Sequence, residues 1–97
     1  MDIACKLYRG SETLLAACDK ELLGKKLKFG EVDFEIKESF YFEKFIGCDE
    51  LINLLKEASM VNLIGSKVVG HLVEKGIVNR NSVKLIDGVP HIQIYKV

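Results

Sequence analysis

Three groups of residues in this chain are of types that do chemistry. The first is Asn62-Leu63-Ile64-Gly65-Ser66-Lys67, which sets a glycine, a hydroxyl and a lysine at the start of a helix. Free backbone N–H groups and the helix dipole at such a start favour an anion, and Gly65 would let a phosphate approach the backbone closely. The spacing is not that of a P-loop, which needs a longer glycine-rich loop with Lys directly before Ser or Thr. A helix start capped by Ser66, with Lys67 in solvent, explains the same residues and is the plainer account. The second group is His91 and Gln93. Strand alternation puts them on one face and leaves Ile92 and Ile94 for the core. An imidazole beside an amide on an edge strand can read a polar ligand or an RNA base, although an ordinary exposed strand face looks the same. His71, inside a helix and next to Leu72, reads as a partly buried structural histidine.

The third group is aromatic. Phe40, Tyr41, Phe42 and Phe45 are half of the chain's three tyrosines and five phenylalanines. Stacking platforms for single-stranded nucleic acid interleave such residues with Arg and Lys, but the neighbours here are Glu38, Glu43 and Lys44. A core or partner-contact role suits them better. Catalytic spacings are missing: there is no nucleophile elbow, H-E-x-x-H or zinc-ligand pair, so no catalytic residue, metal or cofactor is assigned. Cys5, Cys18 and Cys48 are an odd set without a C-x-x-C pair, and free thiols are the expectation. A first hairpin could still bring Cys5 near Cys18, which leaves a disulfide between them open.

The elements that must position these groups can be read from periodicity. Ile3 to Tyr8 and Thr13 to Asp19 read as two strands joined by a turn at Gly10. Leu14 to Cys18 is apolar on both alternating faces, as in a central strand covered on both sides. Lys20 to Lys28 is polar and lysine-rich around Gly24, and can hold a helical turn before the chain becomes extended again. Val32, Phe34 and Ile36 alternate with charged residues, which predicts a strand with one face buried. From Asp49 the period changes, and Leu51, Ile52, Leu55 and Ala58 form one helical stripe. A second helix starts at Ser66, buries Val68, Val69, Leu72 and Val73, and ends at Gly76. Met60 to Ile64 either extends the first helix or bends the chain towards the second. Val83 to Ile86, Asp87-Gly88 and Val89 to Val97 read as a closing hairpin, with Pro90 at a sheet edge or in a bulge. The order predicts an α+β fold, a two-layer sandwich of a mostly antiparallel sheet with two helices on one face.

A chain of 97 residues, 48% hydrophobic and 29% charged, suits one globular domain over residues 1–97. The longest apolar run, Leu14 to Cys18, is far short of the about 20 residues a membrane helix needs. Asp2 and Lys6 interrupt the first apolar stretch, so it does not read as a signal peptide, and the expected location is the cytoplasm. Net charge is zero, which argues against an all-over electrostatic grip on nucleic acid or membrane. The distribution is uneven: residues 1–28 carry six basic and four acidic side chains, residues 29–60 three and eight, and residues 61–97 five and two.

Lys6-Leu7-Tyr8-Arg9, Asp19-Lys20-Glu21-Leu22-Leu23-Gly24, Lys37 to Tyr41, Glu57-Ala58, Asn62 to Gly65 and Gly88 to Gln93 together form a recognisable set. Through them the chain resembles domain-of-unknown-function family 424, a set of small, mainly archaeal proteins, over nearly its whole length. After Ser39-Phe40-Tyr41 it departs from the family pattern, with Phe42-Glu43 in place of a glycine pair. The resemblance implies an archaeal cytosolic protein and draws attention to Asn62, Gly65, His91 and Gln93, but assigns no activity. Three functions fit the residues. One is a non-enzymatic module contacting RNA, a ribonucleoprotein or the translation apparatus through Asn62, Gly65, Ser66, Lys67, His91 and Gln93. Another is a protein–protein interaction domain, such as a homodimer formed without nucleic acid. The last is an enzyme acting on a small anionic ligand at the second helix with His91 as acid or base.

Overall fold

The structure, a computed structural model, describes residues 2–96. Ile3–Arg9 (β1) and Thr13–Asp19 (β2) pair antiparallel around the Gly10 turn, with Arg9 opposite Thr13. A single 3-10 turn, Lys20–Leu22, follows β2. Lys26–Phe29 (β3) and Val32–Glu35 (β4) form a separate two-stranded hairpin. Glu38–Tyr41 (α1), Lys44–Ile46 (β5), Cys48–Glu57 (α2), Met60–Ile64 (β6) and Ser66–Glu74 (α3) come next. Lys84–Ile86 (β7) and Val89–Tyr95 (β8) close the chain through Asp87 and Gly88, whose φ values of 55° and 77° are those of a two-residue primed turn. The six-stranded sheet has the order β5-β1-β2-β6-β8-β7 and is antiparallel except between β2 and β6. The fold is α+β, as the order of periodicities predicts.

Strand alternation divides the sheet into two faces. Towards the helices, Ile3, Cys5, Leu15, Ala17, Val61, Leu63 and Ile92 meet Leu51 and Leu55 of α2 and Val68, Val69 and Leu72 of α3. Complete burial of such aliphatic side chains contributes about 1.5–3 kcal/mol each. On the other face, Ala4, Ala16, Cys18 and Ile64 are covered by Leu27 of the β3–β4 hairpin, Ile36 and Tyr41 of α1. Ala4 and Ala16 belong to the same buried cluster as Tyr41. The second face is only partly roofed, and its uncovered part carries the site described below.

Three local expectations change. Met60–Ile64 is neither helix nor bend but a central strand, with Val61 and Leu63 towards the helices and Asn62 towards the other face. Five residues are too few for periodicity to separate the two structures. The strand of Val32, Phe34 and Ile36 ends at Glu35, so Ile36 is buried beyond it, while Val32 at the hairpin tip is 66% exposed. Pro90 is not on an edge strand, since β8 lies between β6 and β7. The pairing with β6 begins only at His91, and Gly65, just past β6, donates its N–H to the Pro90 carbonyl at 2.9 Å. The missing proline N–H therefore falls where the neighbouring strand has already ended. Val97, included in the expected last strand, lies outside the described residues.

Candidate functional site

At the start of α3 two of the backbone N–H groups are already taken. The Asp19 carboxylate, at the end of β2, accepts hydrogen bonds from the backbone of Lys67 at 3.0 Å and Val68 at 2.9 Å. Asp19 is only 4% exposed, so this internal anion occupies the position at which a phosphate would bind. The Ser66 hydroxyl makes no cap; it is exposed, and the capping carboxylate comes from a distant strand. The requirement for Gly65 follows from the same contact. Its φ is 126°, and a Cβ there would lie 2.3 Å from the Asp19 Cγ. Lys67 pairs with Glu21 at 3.3 Å, and that hydrogen bond raises the lysine pKa. Glu21 is lowered by its backbone hydrogen bond first and by Lys67 second. With the Lys67 and Val68 donors on Asp19 and the Lys67 ammonium on Glu21, this helix start is closed by the chain's own carboxylates rather than open to an anion.

Asn62, His91 and Gln93 come together on the other face of the sheet. Asn62 lies directly across from Gln93 in the β6–β8 register, with Ile64 across from His91 one step along that face. The Tyr41 hydroxyl donates to Asn62 Oδ1 at 2.8 Å, and His91 Nε2 stands 3.3 Å from the same oxygen. Phe34 packs edge-on against the His91 ring, with centroids 5.8 Å apart. Burial, and secondarily the charge of Lys84, lowers the His91 pKa below its ordinary value and so favours the neutral ring. Burial also pushes the Tyr41 hydroxyl well above the usual tyrosine range and keeps it protonated.

Of these residues Asn62 and Gln93 line an open groove of about 370 Å³, together with Leu14, Phe40, Met60 and Tyr95 among others. Phe40 packs on Tyr41 at 4.9 Å and Tyr8 at 5.6 Å, so the wall belongs to an aromatic array. Tyr95 also lines the groove and donates to Glu12 at 3.1 Å. The aromatic segment is therefore divided in use: Tyr41 is core, Phe42 and Phe45 pack on each other at 4.7 Å, and Phe40 faces the groove. Reading Phe40 to Phe45 as one cluster hides the wall residue, and Leu14, Met60 and Tyr95 carry no local signal that would place them beside Asn62.

His91 and the start of α3 lie on opposite faces of the sheet, so an acid or base acting on an anion held at α3 does not form. His71 is exposed on α3 rather than partly buried. Cys5 and Cys18 cannot be bridged: Cys5 is opposite Ala17 and Cys18 opposite Ala4, which puts the two thiols on different faces. All three cysteines are free, and burial pushes Cys5 up to about 11 and Cys18 up to about 12, which leaves both thiols un-ionised at pH 7. Among the described residues no group of three or more His, Cys, Asp and Glu could hold a metal ion, and no helix is long and apolar enough to cross a membrane.

The fold is similar to that of an uncharacterized conserved protein from Methanopyrus kandleri, seen in a crystal structure. The TM-score is 0.83 at 25% sequence identity, over 98% of this chain and 91% of that one. No curated relative matches the chain. A family model matches residues 8–97, and the chain belongs to the family described as "Protein of unknown function (DUF424)".

Proposed function

We propose that this protein is a non-enzymatic binding module of the archaeal cytoplasm that contacts RNA through bases laid in the groove over Asn62 and Gln93. The observation that carries this reading is the pair of amides directly opposite one another on adjacent strands, in a groove that Phe40 and Tyr95 also line. A planar base stacks on an aromatic ring, and its edge hydrogen-bonds to amides. The buried thiols and the neutral, internally bonded His91 favour recognition over catalysis. The Methanopyrus kandleri neighbour supports the archaeal assignment, and the basic C-terminal third supports a ribonucleoprotein partner such as the translation apparatus.

Fluorescence anisotropy with single-stranded RNA tests the reading. Phe40→Ala is expected to weaken binding by about tenfold, the value of one lost stacking contact. Lys67→Ala is expected to leave both affinity and its salt dependence unchanged, because Lys67 lies outside the groove. An absence of binding at low salt, or a loss confined to Lys67→Ala, would contradict it. Migration of the endogenous protein with ribosomal subunits in a sucrose gradient, abolished by ribonuclease, is the result expected of the translation partner.

A second reading, self-association, is favoured by the β7 edge strand, where Leu85 is 64% exposed across from Pro90. Sedimentation as a monomer across micromolar concentrations would remove it.

A further inference from the structure

We propose that Asn62 is a fixed hydrogen-bond donor, so that the groove takes a base edge bearing a carbonyl, as in uracil, over one bearing an amino group at the same ring position, as in cytosine. The proposal rests on the RNA reading above and names the ligand class of that site.

The amide of Asn62 is held from behind. Its Oδ1 receives the Tyr41 hydroxyl at 2.8 Å and faces His91 Nε2 at 3.3 Å. This orientation is assigned from the hydrogen bonds themselves. Turning the amide over would aim its N–H groups at Tyr41 and His91 and leave the Tyr41 hydroxyl proton without an acceptor. Tyr41 is only 2% exposed, and Asn62 is the partner of its hydroxyl, so that orientation would strand a buried donor. Asn62 Nδ2 makes no hydrogen bond among the described residues. Every buried side-chain nitrogen and oxygen among them has a partner, so Nδ2 reaches open surface, and Asn62 lines the groove.

An amide reads adenine by using its oxygen and its nitrogen together. Asn62 has its oxygen engaged and offers donors alone, so a base must present an acceptor to it. Gln93 is exposed and free to turn its own amide, and it therefore suits either kind of edge. Discrimination falls on Asn62, and Tyr41 acts through it as a positioning residue.

The test is fluorescence anisotropy at one fixed salt concentration, with oligouridine and oligocytidine of equal length. The wild-type chain is expected to prefer oligouridine by about tenfold, the difference between one hydrogen bond made and a donor facing a donor. Tyr41→Phe keeps the ring and frees the amide to turn, so binding should persist while the preference shrinks to about twofold or less. Asn62→Asp replaces the donor with an acceptor and should reverse the preference, with circular dichroism confirming that each variant is folded. Equal wild-type affinities, a preference for oligocytidine, or an unchanged preference in folded Tyr41→Phe would overturn the inference while leaving the RNA reading in place. Binding of neither oligonucleotide would overturn the RNA reading and this inference with it.

Discussion

The start of α3 and the open face of the sheet hold polar residues of comparable promise, yet the fold treats them oppositely. At α3 the backbone donors of Lys67 and Val68 are taken by Asp19, and the Lys67 ammonium by Glu21. Over β6 and β8 the internal bonds converge on one side of Asn62 and leave its N–H groups, and the whole Gln93 amide, turned outward. Whether a polar motif is a site depends on what the rest of the chain has already bound to it. A helix start with its own buried carboxylate is a structural joint, whereas an amide fixed from behind is prepared for a ligand.

The most severe way to break this contrast is at the joint. Gly65→Ala would drive a Cβ into Asp19 at a φ of 126° and is expected to destabilise the protein by about 3 kcal/mol or more, as measured by urea unfolding. Asp19→Ala removes two charge-assisted hydrogen bonds from the start of α3 and should cost about 2–3 kcal/mol in the same measurement. Tyr41→Phe deletes one bond of the partly buried network and should cost about 1 kcal/mol. A cost near zero for Asp19→Ala would mean that the helix start is open after all.

Much of this fold was legible because its signals are local. Glycine at the first turn, the Asp87-Gly88 pair, and the stripe of Leu51, Leu55 and Ala58 each specify their element within a few residues. The β6 strand was not legible, because Met60–Ile64 is short and its identity depends on lying between β2 and β8. The site divides in the same way. Strand alternation was enough to pair His91 with Gln93, but adding Asn62 required the β6–β8 register, and adding Phe40 required α1 to fold over the sheet. The capping of α3 by Asp19 joins residues 48 or more positions apart, which a local reading of Ser66 as the cap cannot see.

The His91 pKa lies below its ordinary 6.5 in the folded protein, so the unfolded chain takes up the proton at higher pH than the folded one. The neutral ring's contribution to stability is complete above that ordinary value and is lost as the pH falls below it. His91→Gln should flatten the pH dependence of unfolding below the ordinary histidine value of 6.5, with the slope of the urea midpoint against pH as the readout. Lys67→Ala breaks an exposed ion pair and should leave the unfolding midpoint where it is.

The most direct test of the central claim is NMR titration of the labelled protein with single-stranded oligouridine, following the side-chain amides of Asn62 and Gln93 beside the backbone amides of Gly65, Ser66 and Lys67. If the sheet face is the site, the Asn62 and Gln93 signals and the Phe40 ring should shift together and saturate, while the α3 start stays still. Shifts confined to Gly65, Ser66 and Lys67, with the Asn62 and Gln93 amides unmoved, would contradict the assignment and return the site to the helix start.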